Sequence, residues 1–154
     1  MSLENLAKIG QLKPHPTDAE EIERLLIAAQ RNLRDARVTT ISAETRFDAA
    51  YKCIMQSALA ALMMHGYRPD THRPGHHMTV VQSLPLSIGI EAKRIPVLDA
   101  LRRQRNVADY TGDDIDVSTA EHCAAEARRL IEDVLAWRKA NLPALLLKPD
   151  SEQQ

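Results

Sequence analysis

Aromatic side chains are nearly missing from this 154-residue chain, which has one Trp, one Phe and three Tyr. Sandwiches and barrels draw heavily on aromatic and β-branched residues, so the scarcity argues against an all-β fold. Glycine is also sparse, at five residues. No Gly-rich phosphate loop, dinucleotide fingerprint or Gly-x-Ser-x-Gly elbow is present, which disfavours most common enzyme classes. The two cysteines, Cys53 and Cys123, stand far apart in no ligand-like spacing and read as reduced thiols of a cytoplasmic protein. An excess of one charge is missing too. Lys plus Arg number 20 against 21 Asp plus Glu, so any site for a polyanion must be local. No apolar run approaches the ~20 residues of a membrane-spanning helix. The first ten residues carry charge where a signal peptide would be apolar, and neither membrane nor export is expected.

Helix signals fill the rest. Thr17 and Glu20 form a capping box, followed on one face by Ile22, Leu25, Leu26, Ala29, Leu33 and Ala36, with the end near Arg37. The β-branched run Val38 to Ile41 has no convincing partner strand and reads as a connection. Ser42 caps a longer second helix whose buried side runs through Phe47, Tyr51, Ile54, Ala58, Leu62 and His65, and Gly66 ends it. Its alanines let neighbouring helices approach closely, and Met63 and Met64 read as gap-filling core. Residues 67–77 are rich in Pro and Gly and form a loop. A short helix then runs from Met78, is cut or kinked by Pro85, and ends at Gly89. Pro96 opens the third long helix and Thr111-Gly112 stops it. Ser118 and Glu121 make a second capping box for the last helix, with Cys123, Ala127, Leu130, Ile131, Val134 and Trp137 on its buried face and Asn141 and Pro143 at its close.

The expected fold is therefore all-α, an antiparallel up-and-down bundle of four main helices plus one short helix. It occupies residues 17–142, after an N-terminal arm (1–16) of uncertain order and before a C-terminal tail (143–154). Leu142 and, in that tail, Leu145, Leu146 and Leu147 are expected to fold back on the bundle or to meet a second subunit.

The third long helix carries the chemistry. Leu98, Leu101, Arg105 and Ala108 keep helical spacing, so an arginine falls inside the apolar stripe. At ~100° per residue, Arg102, Arg105 and Asp109 share a face with Leu98; Asn106 lies beside them and Arg103 points away. One reading pairs Asp109 with Arg102 or Arg105 inside the helix, a contact of ~0.2–0.5 kcal/mol. The other makes Arg102, Arg105, Asn106 and Asp109 a substrate-binding cluster, because a guanidinium fork matches phosphate geometry. Asn106 is equally a helix-end amide, and Tyr110 a packed ring. His72, His76 and His77 lie in the loop with Arg68 and Arg73. With no cysteine and only Asp70 nearby, a solvated loop outweighs a metal site, a phosphate contact or a cover for a helix end.

This order of elements, with Arg105-Asn106 and then Asp109-Tyr110 on the late helix, resembles the HEPN family, helical bundles whose active members are metal-independent ribonucleases. The likeness spans most of residues 18–140. Tyr110 stands where the family motif places a histidine, as in a branch that keeps Arg and Asp-Tyr. The resemblance implies a homodimer with both arginines in one composite cleft, no cofactor, Arg105 and Tyr110 as the catalytic pair, and a nucleotidyltransferase or antitoxin as partner. A phenol of pKa ~10 is a weak base at neutral pH. The expected function is thus RNA or nucleotide binding with weak or absent ribonuclease activity, of toxin–antitoxin or defence type. The alternative is a non-catalytic interaction module beside a nucleotidyltransferase.

Overall fold

The computed structural model describes residues 1–142; Pro143 and the leucines of the tail lie outside the described residues. The fold is predominantly all-α, as expected. Its axis is α3 (Ala43–Met63), opened by the Ser42 hydroxyl accepting from the Thr45 amide at 3.1 Å. Small side chains on α3, among them Ala50, Ala58, Ala60 and Ala61, are fully buried. They allow α2 (Ala19–Ala36) and α7 (Val117–Asn141) to pack directly on it. Ile22, Leu26, Phe47, Ile54, Leu62, Leu130 and Val134 fill the space between these three helices.

Both capping boxes are displaced. Asp18, not Thr17, caps α2 by accepting from the Glu20 and Glu21 amides, while the Thr17 hydroxyl donates to the Met63 carbonyl. Asp116, not Ser118, caps α7 by accepting from the Thr119 amide at 2.8 Å. In each case a carboxylate one or two residues from the expected hydroxyl takes the positive end of the helix, where its full charge gives it the advantage. The Thr119 bonds hold the Asp116 carboxyl below its usual pKa.

The single short helix of the sequence reading is two, α4 (His76–Gln82) and α5 (Leu84–Ser87), with Pro85 in the first turn of the second. His76 and His77 therefore open a helix instead of lying in the loop, because the left-handed Gly75 turns the chain before them. A 3-10 turn (Ala92–Arg94) leads into α6 (Ile95–Thr111), which packs chiefly on α4 and more lightly on α3. No helix among the described residues is long and apolar enough to cross a membrane.

Residues 1–16 are not a loose arm. They hold α1 (Leu3–Lys8), capped by Ser2, and β1 (Leu12–Pro14), which pairs antiparallel with β2 (Tyr67–Pro69). Leu3 and Leu12 are buried, and the Arg73 guanidinium donates to the carbonyls of Ile9 and Gly10 beyond the end of α1. Gly10 has φ +81°, and a Cβ there would lie 2.5 Å from that guanidinium. Two three-residue strands far apart in sequence leave no periodic trace by which the pairing could be read from the sequence. Replacing Leu12 with Ala is expected to cost about 2–5 kcal/mol in urea denaturation. A detached arm would leave the midpoint unchanged.

Candidate functional site

Helix α6 ends at Gly112, whose φ of +70° is left-handed and whose amide donates to the Ala108 carbonyl at 2.9 Å. That stop fixes the last turn and hence the bearing of Arg105 and Asp109. Arg102, with only 14% of its side chain exposed, donates through Nε to Asp99 at 2.8 Å. Arg103 also approaches Asp99, at 3.4 Å, so Asp99 is the carboxylate that orders this helix face. Asp109 sits 3.9 Å from Arg105 Nε, beyond hydrogen-bond range, and holds it weakly.

What positions Arg105 is Tyr51 on α3. The guanidinium carbon lies 4.9 Å from the centroid of the phenol ring, a cation–π contact of about 0.5–1 kcal/mol near the surface. Tyr51 is 3% exposed, and no group among the described residues meets hydrogen-bond geometry at its hydroxyl. Burial raises its pKa, with Arg105 and Arg102 opposing the shift. The hydroxyl is itself buried, and the Arg105 guanidinium beside it acts as a hydrogen-bond donor that opposes the upward shift, so Tyr51 anchors Arg105 from within the core.

Across from α6, the first turn of α4 supplies His77. Its pKa is lowered by partial desolvation first, then by the adjacent His76 and by Arg105 and Arg102. The His76 and His77 rings meet edge to face with centroids 4.5 Å apart. His72 is elsewhere, exposed and bonded to Asp70, and Arg73 is committed to the end of α1. The loop thus covers a helix end. No group of three His, Cys, Asp or Glu among the described residues converges to hold a metal.

The predicted cluster is accordingly divided. Arg102 and Arg105 turn inward towards α3 and α4, whereas Asn106 and Asp109 face solvent and Tyr110 is 91% exposed. The Tyr110 ring neither bends back over Arg105 nor packs on the core. A groove of about 290 Å³ on the α3 side of Arg105 and Asp109 is lined by Glu44, Asp48, Asp109, Asp113 and Asp114. Five carboxylates against one guanidinium repel an anion there, so an anion would reach Arg105 from the α4 side. Cys53 and Cys123 are buried, with desolvation pushing their thiols up to about 11 and about 12. They remain protonated and inert at neutral pH.

Tyr51 and His77 are the members that sequence reasoning did not place here. Tyr51 read as core, which it is, and nothing in the spacing of His77 connects α4 to α6. Comparison of the chain with protein-family models, with curated proteins and with solved structures returned no match.

Because its hydroxyl is unpaired, Tyr51→Phe is expected to keep stability within about 1 kcal/mol of the parent or to raise it. A larger loss on thermal denaturation would show that the hydroxyl already has a structural partner.

Proposed function

We propose that the protein is a HEPN-like homodimer that binds RNA or a nucleotide through the Arg102–Arg105 edge of α6, with weak or absent ribonuclease activity. The observation that carries this reading is the convergence of two guanidiniums, a neutral-leaning histidine and an unpaired phenol at one core boundary. Arg105 is held by the Tyr51 ring and hydroxyl and by Asp109 at 3.9 Å, and no hydrogen bond of strict geometry commits its N–H fork among the described residues, which leaves donors for a phosphate. Val107 and Tyr110, large and exposed on the outer surface of α6, supply apolar area suited to a second copy or to a stacked base.

Binding asks less of these groups than cleavage does. Attack by a ribose 2′-hydroxyl needs a proton acceptor at the attacking oxygen and a donor at the leaving one. Tyr110 points to solvent, away from Arg105, and its phenol is a weak base. His77 is the better-placed proton carrier, but it lies on a different helix from the arginine that would hold the phosphate.

Arg105→Ala is expected to weaken binding of a single-stranded oligoribonucleotide at least about tenfold, the scale of a lost charge-assisted hydrogen bond. Equal affinity of parent and variant in a fluorescence-anisotropy titration would remove the site.

A pH dependence follows from His77. Its pKa is lowered from 6.5, so the ring is neutral at pH 7 and gains charge only as the pH falls. A bound phosphate favours the imidazolium, so by linkage affinity must rise as the pH falls from neutral through the lowered pKa of the free ring. His77→Gln is expected to flatten that rise; an unchanged slope would place His77 outside the site.

A further inference from the structure

A second cationic cluster lies where the C-terminus of α2, the first turn of α3 and the middle of α7 meet. Arg37, Arg46, Arg128 and Arg129 line a groove of about 510 Å³ with Glu121, Glu132, Ala124 and Ala125. None of these residues lines the groove beside Arg105. The size is that of a small-ligand pocket.

The charges in this groove do not cancel. Glu132 accepts from Arg128 at 3.0 Å and is thereby neutralised. Among the described residues, no carboxylate comes within ion-pair distance of Arg37, Arg46 or Arg129. Among the groove-lining residues three guanidiniums therefore face one remaining carboxylate, Glu121; Glu91, outside the lining, also feels Arg129 but is paired with Lys93.

Arg46 makes the groove more than a solvated surface. Its residue is only 6% exposed, and its Nε donates to the carbonyl of Ala36, the last residue of α2, at 2.9 Å. That bond fixes the guanidinium plane. Capping α2 uses Nε alone; the two terminal nitrogens have no protein partner among the described residues and are not sealed from solvent. A fork anchored at one end and free at the other loses little rotamer entropy when it takes up a ligand. All four cations are arginines, the side chain whose planar donors fit phosphate oxygens two at a time.

We propose that this groove binds linked phosphates, with Arg46 as the fixed fork and Arg37 and Arg129 closing on the charge from the rims of α2 and α7. The phosphates belong either to a free oligophosphate such as a nucleoside triphosphate or to the backbone of an RNA strand. The site is independent of the Arg105 edge and does not rest on the function proposed for it.

The test is calorimetric titration of the full chain at low salt with inorganic tripolyphosphate, ATP and a single-stranded oligoribonucleotide. Arg37 and Arg129 are exposed, so R37E/R129E should fold as the parent does, which circular dichroism checks. The expected result is saturable binding that R37E/R129E weakens at least about tenfold and Arg105→Ala leaves intact at this site. Arg46→Lys keeps the charge but removes the fork, and should weaken binding without unfolding the chain. Preference for tripolyphosphate and ATP assigns the groove to free oligophosphates, and preference for the oligoribonucleotide assigns it to a strand. No binding of any probe, or binding undiminished in R37E/R129E, overturns the proposal. Loss in Arg105→Ala alone would do the same while leaving the α6 reading in place.

Discussion

Close approach of α2 and α7 to α3 is the constraint on which the rest of the molecule depends. It is possible because α3 presents alanine where a larger side chain would hold its neighbours off. With so few aromatic residues, the core has little bulk to spare, and tight backbone spacing replaces large side chains as the source of contact. Phe47 and Tyr51 are exceptions, one turn apart on α3 and both buried. They stand where α6 comes nearest the bundle, and α6, which packs mainly on α4, needs that extra reach.

Tight packing of short-side-chain helices leaves their ends close together, and arginines serve as the ties. Arg46 bonds the end of α2, Arg73 bonds the end of α1, and Arg138 on α7 meets Glu23 on α2. Arg94 pairs with Asp133 of α7 through one nitrogen, while its Nε and Nη2 are buried with no partner among the described residues. A long aliphatic stem that fills space and a head that bonds carbonyls suits this architecture better than an aromatic ring does. Arginine thus serves a structural part at several of these helix contacts.

The helices could be read from the sequence because apolar residues repeat at helical spacing over many turns, from Ile22 to Ala36 and from Cys123 to Val134. Signals confined to one or two residues were less secure. Asp18 and Asp116 took the caps from Thr17 and Ser118, since neighbouring side chains compete for the same amides and the carboxylate prevailed. The β1–β2 pair left no local mark at all. At the candidate site, the inward bearing of Arg102 and Arg105 follows from helical geometry, and so does the outward bearing of Arg103. Of the expected partners, Asp109 does meet Arg105 one turn on, at 3.9 Å, while Asp99 takes Arg102 and Tyr51 adds a ring face to Arg105 that spacing along α6 did not indicate. Contact across helices depends on how α6 settles against α3 and α4, which spacing along one helix does not encode.

The surroundings of Arg105 separate it from the structural arginines. Arg73 bonds carbonyls through two of its nitrogens, whereas Arg105 rests on a π face and meets its carboxylate, Asp109, only at 3.9 Å. On one side of it the acidic groove raises the energy of any anion; on the other, Arg102 lowers it, joined by His77 only when that ring is protonated. That asymmetry gives the guanidinium a direction. An anion placed at Arg105 would be favoured on the α4 side and disfavoured near the carboxylates at the end of α6. Charge around the residue, more than the residue itself, thus determines which face of the helix can act on a ligand.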